Sequence, residues 1–327
     1  MASISMLKGA KVLVAGGAGF IGTNLIERLV DMGADVTATL HSREPQLKLA
    51  AVKYVKCDLL KAEDCDRVVA GHDYVFMCAA NTSGAAVIER NPLTHFTPNL
   101  IMNLSMLDAC HRSGVKKFLF ISSNVVYPET DRPVKEEDVT GEFFGKYVVA
   151  ARMKRFSEIA CETYATTGQD ALKVCVVRPG NIYGEYDDFE EATSHVIPAL
   201  IRKVVERLAP LEVWGDGNDE KDFIYVGDFI DGMILAMEKV DSPDPINIAT
   251  GTSVTIRHVL GHLLRAGNYE DAEITYLSSK PTMIPRRLID VTRARDLLGF
   301  EASTPLEEGL AKTLQWYEKN RVPAGSV

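Results

Sequence analysis

Six cysteines are spread over 327 residues (57, 65, 78, 110, 161 and 175), with no CxxC pair and no spacing of a metal finger. That excludes a zinc ribbon or a thioredoxin-type motif. It leaves buried thiols in a reducing compartment, with no metal centre. A basic excess is also lacking: 36 Lys and Arg stand against 45 Asp and Glu, a net charge of −9. Nucleic acid and anionic membrane surfaces are therefore not expected partners, although a locally basic site could still hold an anion. No apolar run reaches the roughly 18 residues that span a bilayer. The N-terminal MASISMLKGA has no long apolar core, so no signal peptide is expected and a cytoplasmic location is. Internal repeats and low-complexity tracts are absent as well. What remains, 46% hydrophobic and 25% charged residues, is ordinary globular composition. The length suits one large or two modest domains.

Against these absences stands KVLVAGGAGFIG, residues 11–22. Val12 to Ala15 form a short apolar run suited to a buried parallel strand, and Asn24 to Val30 read as helix. Between them Gly16, Gly19 and Gly22 are spaced three apart. Glycine adopts turn angles that other residues resist, and it lets a pyrophosphate approach the free N–H groups of a helix N-terminus. A glycine triplet in such a turn can also bind nothing. Its place between a strand and a helix points to a dinucleotide.

Strands and helices alternate through the first half. Strands are expected at 11–15, 35–40, 53–57, 74–79, 117–122 and 172–178, and helices at 20–32, 62–70, 92–113 and 147–166. This predicts an α/β fold with a Rossmann-type doubly wound parallel sheet, whose ligand crevice lies outside the strand C-terminal ends. After Arg178 the texture changes to turns such as GEYDDFEE and WGDGNDEKD. Helices at 194–208 and 226–239 and short strands near 211–214, 246–248 and 273–277 suggest a smaller mixed C-terminal substrate domain. The division is 1–178, with a return segment near 225–250, and 179–327. The tail Val322-Pro323-Ala324-Gly325 is expected to fray.

The second strand, 35–40, should end in a carboxylate if the cofactor is NAD. It runs instead into His41-Ser42-Arg43; Glu44 comes later and Asp35 lies at the wrong end. His41, Ser42 and Arg43 could hold a 2′-phosphate, so NADP is expected with NAD as the alternative. Arg43 could equally be a solvated loop charge. Asp58 follows the third strand, placed for the adenine end. Ala79 and Ala80, small residues after the fourth strand, would let a dinucleotide lie flat. Ser123, at the end of the fifth, could meet a substrate oxygen or simply turn the chain.

Taken together, GGAGFIG, SSNVVYP (122–128), RPGNIYG (178–184), VWGDGNDEKDFIYVGD (213–228) and PRRLIDVTRARDLLGF (285–300) resemble the extended short-chain dehydrogenase/reductase superfamily. SHVIPALIRK (194–203), VWGDGN with FIYV, and KPTMIPRRLIDVTR (280–293) are most similar to the GDP-fucose synthases within it. The resemblance implies a Ser, a Tyr as proton donor or acceptor, and a Lys four residues later that binds the nicotinamide ribose. Ser123 takes the first slot and Lys154 the third. The Tyr slot then falls on Ala150. Tyr147 lies seven residues before Lys154, on the same helix face but about 10.5 Å along the axis. Either a tyrosine has been replaced at 150, or Tyr147 serves through a local shift, or the set is naturally incomplete.

The Cys and His that GDP-fucose synthases use for epimerisation at C3 and C5 correspond to Val125 and Tyr186, so that double epimerisation is not expected. The Asp-Glu pair of sugar dehydratases is Asn124-Val125, which disfavours dehydration. The cofactor set is completed by Phe20, Ile21, Leu59, Asn99, Ser122, Pro179 and Ile182. For the nucleotide sugar, a GDP-linked one on this resemblance, the residues are Ser123, Asn124, Asn181, Val196, Trp214, Lys221, Lys280 and Arg286. The implied activity is NADP-dependent reduction or epimerisation by hydride transfer at C4. The alternatives are an NAD-dependent 4-epimerase and a chain that binds cofactor without turnover. A homodimer through the helices at 92–113 and 147–166 is also implied.

Overall fold

The structure is a computed structural model that describes residues 5–81, 91, 93–168, 170–280 and 284–321. The tail at 322–325, and 281–283 within the 280–293 stretch, lie outside the described residues. Seven parallel strands form one sheet: β1 (Lys11–Ala15), β2 (Asp35–Leu40), β3 (Val52–Lys56), β4 (Tyr74–Met77), β5 (Lys117–Ile121), β6 (Val174–Pro179) and β10 (Ile246–Ile248). Their order across the sheet is β10-β6-β5-β4-β1-β2-β3. The strand order reverses between β1 and β4, which places a crevice there at the C-terminal edge.

Alternation along the strands explains why both faces are covered. Val12, Val14, Val36, Ala38 and Phe76 join one apolar cluster, with Leu25, Ile26 and Leu29 of helix Phe20–Asp31 and Phe229 and Met233 of helix Val226–Lys239. Their neighbours Leu13, Ala15, Val75 and Met77 join the other, with Met106 and Cys110 of helix Leu93–Arg112 and Cys161 of helix Val148–Thr166. Side chains of successive strand residues point to opposite faces, so an unbroken apolar run is buried on both.

The remaining strands build two small sheets. One is β7 (Asn181–Tyr183), β9 (Glu220–Tyr225) and β11 (Ser253–Thr255); the other pairs β8 (Leu211–Trp214) with β12 (Ile274–Leu277). They pack with helices Val196–Val205, Ile256–Ala266 and Leu306–Asn320 around a third cluster that includes Leu200, Val259 and Leu310. The strand β10, inside the expected return segment, carries the chain back to the large sheet beside β6, Ile246 opposite Val177.

All six cysteines are unpaired and all but Cys78 are buried. Burial raises the thiols of Cys57 to about 11 and of Cys65, Cys78 and Cys175 to about 12, so none is a nucleophile at neutral pH. Among the described residues no cluster of three or more ligating side chains could hold a metal, and no helix is long and apolar enough to cross a membrane.

Candidate active site

The glycine turn is fixed by close backbone packing at the switch point. A Cβ on Gly16 (φ 91°) would stand 2.7 Å from the Ala79 backbone, and one on Gly22 would stand 2.1 Å from the Gly16 carbonyl oxygen. No side chain fits at either place. The Gly16 N–H donates to the Thr39 hydroxyl at 2.9 Å and the Gly17 N–H to the Thr39 carbonyl at 2.9 Å, so β2 holds the turn. Helix Phe20–Asp31 starts directly after Gly19, its N-cap, and has no acidic residue in its first turn. Its N–H groups therefore meet an anion without competition.

Beyond the ends of β2 and β3 a cleft of about 400 Å³ is lined by His41, Ser42, Lys56, Cys57, Asp58 and Asp64. His41, Ser42 and Asp58 were expected from the sequence; Lys56 and Asp64 were not. Arg43 is exposed and, among the described residues, pairs with no carboxylate. The cradle, the bare helix start and the cleft together fit a dinucleotide.

Other residues expected at the cofactor sit differently. Ala79 lines the switch point beside Gly16, and Ala80 is exposed. Asn99 is buried; its amide accepts from the Asn81 N–H at 2.8 Å and donates to the Asn81 and His95 carbonyls at 3.0 and 2.6 Å. It thus ties Asn81, after β4, to the start of helix Leu93–Arg112. Ser122 is buried and its hydroxyl donates to Glu158 at 2.5 Å. Phe20 and Ile21 open the glycine helix, Leu59 packs below the cleft, Pro179 ends β6, and Ile182 is the middle residue of β7.

The catalytic candidates converge on the end of β5. Lys154 donates from Nζ to the Ile121 carbonyl at 2.8 Å and lies 5.1 Å from the Phe120 ring centre. Loss of water pushes its ammonium down to about 8, against the opposing charge of Glu158. Ser123, two residues beyond Ile121, accepts the Val125 N–H at 3.3 Å, which leaves its own O–H free to donate. Ala150 stands one turn before Lys154, in regular helix.

Tyr147 lies outside that helix. It ends a short 3-10 turn, Gly145–Tyr147, and is the N-cap of helix Val148–Thr166. Its ring meets Phe144 at 6.4 Å. Burial alone raises its phenol to about 12, with no cation acting on it. A tyrosine tuned for proton transfer would show the opposite shift.

On the sugar side, Trp214 is 48% exposed with the Lys280 ammonium 5.5 Å over its ring. Val196 opens helix Val196–Val205 and is 36% exposed. Asn181 and Asn124 donate to the Asp222 and Pro179 carbonyls at 3.0 and 2.9 Å. Lys221 is tied to the Ile284 carbonyl and to Asp219 at 3.4 Å, and Arg286 to Glu220 at 3.1 Å.

Tyr186, at φ 67°, packs edge-on against Trp316 at 5.0 Å. Its neighbour Asp187, 9% exposed, accepts the Asp188 N–H at 2.8 Å through Oδ1, while Oδ2 is buried without a partner. Burial raises this carboxyl to about 7. Nothing in the sequence singled out Asp187 among five acids of GEYDDFEE.

Residues 12–249 match the model of the NAD dependent epimerase/dehydratase family. The chain is 30% identical over 330 residues to a probable GDP-L-fucose synthase 1 of Oryza sativa subsp. japonica, covering 97% of this chain and 94% of the relative. It is 30% identical to the GDP-L-fucose synthase of Escherichia coli (strain K12), covering 95% of this chain and 97% of that one. Among solved structures it is similar to a UDP-glucose 4-epimerase from Thermotoga maritima with UDP-glucose. That TM-score is 0.85 at 29% identity, covering 94% of this chain and 99% of that one.

Proposed function

The chain belongs to the NAD dependent epimerase/dehydratase family, enzymes of nucleotide-sugar chemistry, and within it we propose an NADP-dependent reductase or epimerase of a GDP-linked 4-keto-6-deoxyhexose. The carrying observation is that Lys154 donates to the Ile121 carbonyl at the end of β5, two residues before Ser123. The nicotinamide, when bound, supplies or accepts the hydride at C4 of the sugar. Lys154 holds the nicotinamide ribose. Ser123 donates its free O–H to the C4 oxygen and so orients it. The proton at that oxygen comes from Tyr147 after a shift toward the site, or is left to solvent because position 150 is alanine. Arg43, exposed and unpaired, takes the 2′-phosphate with His41 and Ser42 beside it.

The region 179–327, apart from the return to the large sheet, holds the nucleotide sugar, with Trp214 packing on the base or ribose and Lys280 beside it. Val125 and Tyr186 leave no acid–base pair for C3 and C5, so the reaction stops at C4. Ile101, Phe156 and Ile159 are 42%, 51% and 45% exposed on the helices Leu93–Arg112 and Val148–Thr166, which supports a homodimer through those helices.

Ala150 favours a second reading, binding without turnover. One experiment separates them: the wild-type chain and Ala150→Tyr are each mixed with NADPH and GDP-4-keto-6-deoxymannose, and binding and NADPH oxidation are followed. A gain of about 10²–10⁴-fold in the variant, the usual worth of a placed acid–base group, marks an enzyme short of its tyrosine. Cofactor binding with no turnover in either chain marks a silent binder. No binding of either ligand overturns the proposal.

A further inference from the structure

Helix Val148–Thr166 touches the end of β5 at two successive rungs. At one, Lys154 donates to the Ile121 carbonyl at 2.8 Å. At the next, one turn on, Glu158 accepts the Ser122 hydroxyl at 2.5 Å. Ser123 follows directly. The register of Lys154 on Ser123 is therefore set by the Glu158 rung as well as by its own.

Glu158 is 2% exposed, and a lone buried carboxylate is costly. Arg178, also 2% exposed, grips it bidentately from β6, Nε to Oε1 and Nη2 to Oε2 at 2.8 Å each, and Arg155 reaches Oε2 at 3.2 Å. Arg178 spends its remaining donor on the Tyr127 hydroxyl at 3.0 Å and the Glu136 carbonyl at 2.8 Å. Every polar group of the pair is satisfied. A buried pair of this kind rarely beats a well-packed apolar one for stability, so its worth lies in what it orients.

We infer that Glu158, held by Arg178, is a positioning residue: it sets the register of Lys154 on the Ser122–Ser123 strand end and keeps a negative charge one turn from the ammonium, so that Lys154 meets the cofactor in its charged form. This rests on the reading of Lys154 as the ribose-binding lysine. The titratable groups facing Lys154 are Glu158 and Cys161 of its own helix, and β5 presents only the Phe120 ring and the Ile121 carbonyl. Facing Glu158 are Arg155, Arg178 and, behind Arg178, Tyr127. Burial pulls Lys154 down and Glu158 alone among the ionised groups pushes it back up.

The test is the titration of Lys154 itself. Lysines are reductively ¹³C-methylated and the Lys154 resonance is assigned by its loss in Lys154→Arg. Glu158→Gln keeps the shape and the Ser122 contact but removes the charge; it should shift the Lys154 midpoint down by about one pH unit. Glu158→Asp, which keeps the charge but shortens its reach to Ser122, should shift it downward by less, and keeps the test open if Glu158→Gln does not fold. NADPH affinity measured from pH 6 to 10 should follow both shifts. A Lys154 midpoint that stays put in the folded variants overturns the inference. NADPH affinity that ignores pH while the resonance moves overturns instead the assignment of Lys154 to the cofactor.

Discussion

The two ends of the proposed site are built on different principles. At the cofactor end, shape comes from backbone: Gly16 and Gly22 exist because an added Cβ would strike main chain at 2.7 and 2.1 Å, and Arg43 nearby pairs with no carboxylate among the described residues. At the sugar end, shape comes from side chains already occupied by one another. Lys221 and Arg286 are held by Asp219 and Glu220, while the Asp187 carboxyl is buried with an oxygen that nothing satisfies. The contact of Gly22 with the Gly16 carbonyl is local and shows within a dozen residues. A charge network depends on which distant partners arrive.

The sharpest way to break this comparison is Gly22→Ala. The contact is with a carbonyl oxygen that the turn cannot move without losing its hold on Thr39. Overpacking of this kind costs about 1–3 kcal/mol or more, and the displaced turn should lose dinucleotide binding by at least about 100-fold. Thermal unfolding and a cofactor titration check both. Retained affinity would mean that the turn yields and that its shape is not dictated by backbone contact.

Asp187→Asn tests the other end. Burial holds the Asp187 carboxyl protonated up to about 7, whereas in the unfolded chain it ionises near the ordinary 3.8. The folded chain thus keeps a proton that the unfolded chain has lost. This contribution is complete below the unfolded value and vanishes as pH rises through about 7. Asparagine has no charge to bury, so the variant should be more stable than wild type at pH 8 by about 1–3 kcal/mol, the usual cost of an unsatisfied buried group. The two should converge near pH 4. Melting temperatures across that range decide it. A constant gap at every pH would show that Asp187 is ionised and satisfied in the fold.

The same contrast explains what could be read from the chain in advance. The strands at 35–40, 211–214 and 246–248 were legible to the residue, and the glycine turn in full, because apolar runs and glycine spacing are local signals. The strands Asn181–Tyr183, Glu220–Tyr225 and Ser253–Thr255 were not. They are short or mixed in polarity, and they exist because β9 recruits β7 and β11 from 40 and 30 residues away, Asn181 opposite Phe223 and Val254 opposite Lys221. Helices Ile256–Ala266 and Leu306–Asn320 were also missed, where turns dominated the texture. Ser123 and Lys154 were singled out through resemblance, whereas Glu158 and Arg178 were not. An arginine inside the apolar strand VCVVRP was the available signal, since a buried guanidinium demands a buried carboxylate.

Arg43→Gln carries the smallest expected effect and bears most directly on the contrast. Lys221 and Arg286 are tied to Asp219 and Glu220, so removing one of them costs the fold something; Arg43 has no carboxylate partner among the described residues. Its loss should leave the melting temperature unchanged. It should weaken NADPH binding by about tenfold, the worth of one charge-assisted contact at an exposed site. NADH binding should not change, and the loss should shrink as salt rises, because an exposed charge is screened over about 10 Å at 0.1 M. Equal effects on NADPH and NADH would make Arg43 a solvated loop charge. The 2′-phosphate would then fall to Lys56 with His41 and Ser42 in the 400 Å³ cleft, and the cofactor end would also depend on side chains that no local pattern announces.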